Sequence, residues 1–231
     1  EIKEIIIDFI AHFFAAGLSP ERTLIYLQTR NLGIMREAGL FTGRIGMEEL
    51  EKIYDRKLIL GEAYSSLVMA ADILLPQINN YLGTLIILGI DEISHFVMTK
   101  ELIKVLDNRF SYPSITYNKI LTGLNASKMG KSLPQNSIKL SDSPEVAKEK
   151  LRKIKEQNLE LYSNTGFNIL EWFSEDDSII NKILKIENKK KANELAIEEA
   201  CNLLDKLLPK HQEEYNKYLK DARRRTEILL K

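Results

Sequence analysis

Thr84-Leu85-Ile86-Ile87-Leu88-Gly89-Ile90-Asp91-Glu92 decides the fold of this 231-residue chain. The run from Thr84 to Leu88 is short, continuous and apolar, and it reads as the clearest strand of the chain. A glycine and two acids follow it, and the pattern over residues 93–106 predicts a helix. Strand, glycine, acid, helix is α/β order. In open α/β sheets, ligands bind beyond the carboxyl ends of the strands. Asp91 or Glu92 can hold a ribose hydroxyl or an amine there. The alternative is that Asp91 only caps the following helix, a position carboxylates favour. His95, a turn further on, reads as a satisfied structural histidine.

Working outward, Ile2, Ile5, Ile6, Phe9, Ile10 and Phe13 recur at helical spacing. They predict an amphipathic helix ended by Gly17, with His12 as a surface or boundary residue. Thr23-Leu24-Ile25-Tyr26-Leu27 then reads as a buried parallel strand. A helix leading into such a strand is half of a βαβ unit, so its preceding strand is expected upstream. Glu1 is not an initiator methionine, and the chain is expected to begin inside a longer reading frame or to have been processed. Residues 47–54 predict a short helix, and 62–75 a buried helix stopped by Pro76. Asp72 within it reads as a boundary or capping carboxylate. On the other side, Tyr112 to Tyr117 is extended, and Ser137-Ile138-Lys139-Leu140 suits a short strand. Ser143 is an N-cap with Pro144 at the first helical position. From there the pattern is all helical: 145–157, 166–174, 176–188, 190–208 and 210–230. The change of texture sets the expected domains, 1–142 and 143–231.

Asn125-Ala126-Ser127-Lys128-Met129-Gly130-Lys131-Ser132-Leu133-Pro134 is the second telling stretch. Two lysines stand three apart around a glycine, which allows a close backbone approach to a ligand. Lys is a compact point charge suited to phosphate. Ser127, Ser132 and backbone N–H groups can add donors. The segment therefore reads either as a loop gripping a polyphosphate, as phosphoryl and nucleotidyl transfer require, or as a solvated surface loop.

Composition narrows the rest. Hydrophobic residues make up 44% of the chain, which excludes wholesale disorder. Lys+Arg and Asp+Glu are equal at 33, so net charge gives no argument for a nucleic-acid partner. A single cysteine, Cys201, excludes an internal disulfide and a Cys-rich zinc site, and suits a reducing compartment. No apolar run approaches the roughly eighteen residues of a membrane span, and the first residues do not read as a signal peptide. Basic clusters occur at Lys148/Lys150/Arg152/Lys153/Lys155, Lys189/Lys190/Lys191 and Arg223/Arg224/Arg225. Each can contact RNA phosphates, but interleaved acids make solvated helix faces the simpler reading. Trp172 and Phe173 are expected in the core.

In order along the chain, several stretches resemble one family. Leu18-Ser19-Pro20-Glu21-Arg22-Thr23-Leu24-Ile25-Tyr26-Leu27-Gln28 and Ala71-Asp72-Ile73-Leu74-Leu75-Pro76-Gln77 look like segments of archaeal and eukaryotic-type tryptophanyl-tRNA synthetases. Gly89-Ile90-Asp91-Glu92 with His95-Phe96 and Met98-Thr99-Lys100 resembles that family's Gly/Ala-Ile-Asp-Gln segment and the helix after it. Lys128-Met129-Gly130-Lys131-Ser132 resembles the class I Lys-Met-Ser-Lys-Ser loop, approached through Pro113-Ser114 and Gly123-Leu124. Phe173-Ser174-Glu175-Asp176-Asp177 and His211-Gln212-Glu213 are similar to phrases of its helical C-terminal region.

The resemblance implies an α/β fold, a partial Rossmann-type parallel sheet followed by an all-helical, anticodon-side domain. It implies a cytoplasmic, homodimeric ligase that activates tryptophan with ATP and Mg²⁺, then transfers it to tRNA(Trp). Carried over by position, Lys128 and Lys131 stabilise the ATP phosphates, with Met129, Gly130 and Ser132 beside them. Asp91 holds the adenosine ribose, and Met69 and Glu92 occupy substrate-contacting positions. Three features depart from the family. Its His-Ile-Gly-His signature is absent from this chain. Met69 and Glu92 stand where the family usually has Gln, and Gly130 stands where the loop usually has Ser. Losing amide groups weakens selection of a polar-edged substrate. These departures leave two further readings open: a degenerate paralogue that binds tRNA or protein without activating an amino acid, and another nucleotidyltransferase of the same superfamily.

Overall fold

The computed structural model describes residues 1–106, 109–127, 129–130, 134–156 and 160–231. Its helices are α1 (Ile2–Ala15), α2 (Leu32–Phe41), α3 (Met47–Tyr54), α4 (Leu60–Ile73), α5 (Leu75–Ile78), α6 (Ile93–Lys104), α7 (Pro144–Arg152), α8 (Thr165–Phe173), α9 (Asp177–Leu184) and α10 (Lys189–Leu230). Its strands are β1 (Leu85–Gly89) and β2 (Ser114–Asn118). The chain divides into two compact units, Ile25–Ile120 and Glu1–Leu24 with Leu121–Lys231.

In the unit of residues 25–120, β1 and β2 pair in parallel, from Leu85 opposite Ser114 to Gly89 opposite Asn118. This is the α/β texture that the apolar run predicts. Helices α2, α4 and α6 build the core, with Ile34, Phe41, Leu67, Leu74, Met98 and Leu102 buried together. Asn31 caps α2 by accepting the Gly33 and Ile34 N–H groups. One charge is buried with this core. Glu37 is 4% exposed, and Arg109 grips it with two 2.7 Å bonds in a fork that satisfies both carboxylate oxygens.

Two expectations fail here. Thr23 to Leu27 forms no strand, because among the described residues no neighbour takes its backbone bonds; it runs into a 3-10 turn at Gln28–Arg30. Pro76 does not stop the long helix, which ends at Ile73. Pro76 instead takes the first turn of α5, where a missing N–H loses no intrahelical bond.

The other unit is organised by α10, which packs against α1, α7, α8 and α9. Its first half buries Ala196, Ile197, Ala200, Leu204 and Leu208 with Leu151, Phe167 and Leu170. At Gly166 a Cβ would lie 3.0 Å from the Ile197 Cα, so glycine sets how closely α8 approaches α10. Ser143 caps α7 as expected, accepting the Val146 N–H.

The expected break at 208–210 is absent, and α10 runs unbroken for 42 residues through Pro209. An interior proline costs about 3 kcal/mol, which the burial of Leu208 on one side and Ala222 on the other offsets. Helix α9 ends at Leu184, short of the expected 188. Ser137 to Leu140 forms no strand among the described residues. The α1 helix and its Gly17 stop, at φ +105°, are as expected. Its buried stripe is Ile7, Ile10, Ala11 and Phe14 rather than the predicted one, since α10 meets that side; Ile2, Ile5 and Phe13 are exposed. Trp172 and Phe173 are not core. The buried run of α8 stops at Leu170, and its last turn leaves them 38% and 49% exposed. Because α1 folds on α10, residues 1–24 and 121–142 pack with the helical region, a division unlike the one expected at 142/143.

Candidate active site

Asp91 and the lysine loop belong to different units, so each part of the site is described in its own frame. In the unit of residues 25–120, β1 ends at Gly89 and a 3-10 turn, Ile90–Glu92, carries the chain into α6. The N-cap of α6 is Glu92, without a side-chain cap bond, so Asp91 does not serve as that cap. The Asp91 carboxylate lies over Gly89 instead. A Cβ on Gly89 would sit 2.5 Å from Asp91 Oδ1, so glycine is what lets the carboxylate settle at the end of the strand.

Asp91 is exposed and lines a cleft of about 590 Å³ with Tyr54, Ser65, Ser94 and His95. His95 is satisfied at both nitrogens, as the sequence suggests. Nε2 lies 3.1 Å from Glu92 Oε2 and Nδ1 lies 2.6 Å from the Tyr54 hydroxyl. With Nε2–H donating to the carboxylate, Nδ1 is left to accept from Tyr54. Burial raises the Tyr54 phenol above its usual value, so it stays protonated as that donor. Glu92 is therefore engaged with His95.

Met69 is half-buried on α4, one turn before Asp72. Asp72 does more than bound a helix. It accepts from the Tyr26 hydroxyl and from Gln28 Nε2 at 2.9 Å. Burial first, and then the bond to Asp72, raise the Tyr26 phenol far above its usual value. Sequence reasoning missed this trio. No local spacing marks it, since Asp72 stands 46 residues from Tyr26 and 44 from Gln28.

In the other unit, Lys128, Lys131 and Ser132 lie outside the described residues. The flanks of their segment are held closely. Met129 N–H donates to Leu121 C=O at 3.2 Å, and Ser137 Oγ to Gly130 C=O at 3.4 Å. Thr165 Oγ1 donates to Gly123 C=O at 2.8 Å, and Thr122 Oγ1 to Asn168 Oδ1 at 2.9 Å, tying the approach to α8. Asn125 N–H donates to Asn136 Oδ1 at 2.7 Å across the base. Beside it a cleft of about 400 Å³ is lined by Asn125, Gln135, Asn136, Lys150 and Lys153. Lys150 is committed to Asp142 at 2.6 Å and to the Ser137 carbonyl at 3.2 Å.

The basic clusters behave as solvated helix faces. Lys148 pairs with Asp205, Lys153 with Glu149, Lys189 with Glu160, and Arg224 and Arg225 with Asp221. Among the described residues, no group of three or more His, Cys, Asp or Glu side chains can hold a metal ion. Among the described residues, no helix is long and apolar enough to cross a membrane.

A family described as tRNA synthetases class I (W and Y) matches residues 1–221. The chain is 36% identical over 150 residues to a tryptophan–tRNA ligase of Aeropyrum pernix, covering 62% of this chain and 40% of that protein. It is 34% identical over 149 residues to the tryptophan–tRNA ligase of Methanopyrus kandleri, covering 62% of this chain and 39% of that one. The matched stretch thus spans about two fifths of these curated relatives' length. The solved tryptophanyl-tRNA synthetase of Aeropyrum pernix K1 superposes with a TM-score of 0.80 at 27% identity, over 96% of this chain and 66% of that one.

Proposed function

The chain belongs to the class I tRNA synthetases for tryptophan and tyrosine, and we propose that it is the part of a cytoplasmic tryptophan–tRNA ligase that binds nucleotide through Asp91 and the lysine loop. The observation that carries this reading is the Asp91 carboxylate laid over Gly89 at the carboxyl end of a parallel strand, beside an open cleft. There it accepts a hydrogen bond from the ATP ribose.

The tryptophan carboxylate attacks the α-phosphorus, and the bond from that phosphorus to the bridging oxygen of pyrophosphate breaks. Charge builds on the leaving pyrophosphate. Lys128 and Lys131 oppose that charge, with the Met129 and Gly130 backbone and Ser132 beside them. Mg²⁺, when bound, would be held more by the phosphates than by a protein cage and would help neutralise their charge. Met69 and Glu92 lie on the amino-acid side. Residues 143–231 face the anticodon side of tRNA(Trp), and the working form is a homodimer.

Amino-acid-dependent ATP–pyrophosphate exchange tests the proposal, run on this 231-residue chain and on a longer chain that adds an upstream strand-loop-helix. Exchange with tryptophan and not tyrosine is expected. No exchange with any amino acid overturns the enzymatic reading. Salt-sensitive tRNA binding without nucleotide binding then favours the degenerate paralogue, for which Met69, Glu92 and Gly130 speak.

A further inference from the structure

We propose that Asn136 is the positioning residue of the segment that carries Lys128 and Lys131, joining its two described flanks; this rests on the ligase reading above, which assigns those lysines to the phosphates. Asn136 is 5% exposed and touches the opposite flank at three points. Its Oδ1 accepts the Asn125 N–H at 2.7 Å. Its Nδ2 donates to Ser127 Oγ at 3.0 Å. Its backbone carbonyl accepts the Leu124 N–H at 3.0 Å. The far flank is drawn in on itself as well, with Gly123 N–H on the Ser127 carbonyl at 2.6 Å and Ser127 Oγ on Asn125 Oδ1 at 2.6 Å.

The chemistry of these bonds selects the residue type. One end of the side chain must accept and the other must donate, which only an amide does at this size. The fit also depends on Gly123. A Cβ there would lie 2.3 Å from Asn136 Nδ2 and 2.5 Å from its carbonyl oxygen, so no other residue lets the flanks come this close. Thr165, itself buried, anchors the same glycine to α8 through its carbonyl. The result is a stem whose flanks are joined to each other by one asparagine and tied to α8 through Thr165 and Thr122. In sequence, Lys128 directly follows Ser127, and Lys131 directly follows Gly130, whose carbonyl Ser137 Oγ contacts from the residue after Asn136. A misplacement of about 1 Å at a reacting centre costs on the order of a hundredfold in rate, so fixing the stem is fixing the grip.

The test measures amide hydrogen exchange and inorganic pyrophosphate binding on the whole chain for the wild type, Asn136→Ala, Asn136→Asp and Ser127→Ala. For Asn136→Ala, exchange at Leu124, Asn125 and Ser127 is expected to rise by about tenfold or more, with pyrophosphate affinity falling by a similar factor. Asn136→Asp keeps the acceptors and loses the donor, so it falls between. Ser127→Ala removes an exposed partner and reproduces part of the effect without touching the core. If the alanine variant fails to fold, amide exchange at Leu124 and Asn125 in Ser127→Ala decides, because the Ser127 hydroxyl is itself a candidate phosphate donor. Unchanged exchange in folded Asn136→Ala overturns the proposal, and so does faster exchange with unaltered pyrophosphate affinity, since Asn136 is then only structural. A wild type that binds no pyrophosphate counts against the ligase reading itself, and the exchange rates still decide whether Asn136 fixes the stem.

Discussion

Replacing Gly89 by alanine separates the stability of the sheet from the function of its end. Gly89 has φ −65° and ψ 147°, angles any residue adopts, so alanine meets no backbone strain. The added Cβ would lie 2.5 Å from Asp91 Oδ1, about 0.9 Å inside an ordinary contact. The atom it meets is the far end of an exposed side chain, which shifts more readily than the strand backbone does. Folding stability is expected to change by less than about 1 kcal/mol, with the lower entropy of the unfolded alanine chain partly compensating. Asp91 would lose its place, and with it a charge-assisted bond to the ribose worth about 1.5–3 kcal/mol. That is about a 10- to 150-fold loss of ATP affinity, read by titration calorimetry beside a thermal melt. Asp91→Asn, which keeps the shape and loses the charge, should lose affinity to a similar extent. Two results refute the reasoning. One is a melting point that drops by many degrees, because the Cβ then strains the strand. The other is ATP affinity unchanged in both variants, because Asp91 then takes no part in the site.

Arg109→Ala leaves the buried Glu37 carboxylate unpaired and is expected to cost about 2–3 kcal/mol in urea unfolding. This is less than for a fully buried pair, because the Arg109 side chain is 48% exposed; the double change with Glu37→Gln should recover part of it. Burial and the nearby His12 hold His211 below its ordinary value, so the folded state resists the proton that the unfolded state accepts. Stability should therefore be full above about pH 6.5 and decline as pH falls below it. His211→Gln should flatten that decline in a melting-temperature series. Pro209→Ala restores an N–H inside α10 and should raise stability by about 1–3 kcal/mol, measured by the same melts.

What the sequence made legible was whatever depends on neighbours close along the chain. The apolar run before Gly89 marked β1, Ser143 with Pro144 marked the start of α7, and Gly17 marked the end of α1. Local signals misled where tertiary contacts outweigh them. Thr23 to Leu27 has strand composition but, among the described residues, no strand beside it, and Pro209 fails to break a helix held by burial on both sides. The apolar pattern of α1 predicted a helix but not which of two adjacent stripes α10 would cover. In the site, Asp91, Glu92 and the loop stood out because glycines and charges mark them. The Tyr26–Asp72 bond joins residues 46 apart, and the Thr165–Gly123 anchor joins residues 42 apart. Spacing along a chain carries no trace of such pairs.

The embrace of α1 by the far end of α10 also has a kinetic side. His12 touches His211 across 199 positions of sequence, Arg225 reaches the Pro20 carbonyl across 205, and Tyr215 reaches Asp8 across 207. On a ribosome, Phe14 and Ile10 would be synthesised long before the surface that covers them. The nascent helix would therefore carry bare apolar side chains while the roughly two hundred residues between it and its cover are made, a time when chaperones have most to bind and premature collapse is easiest.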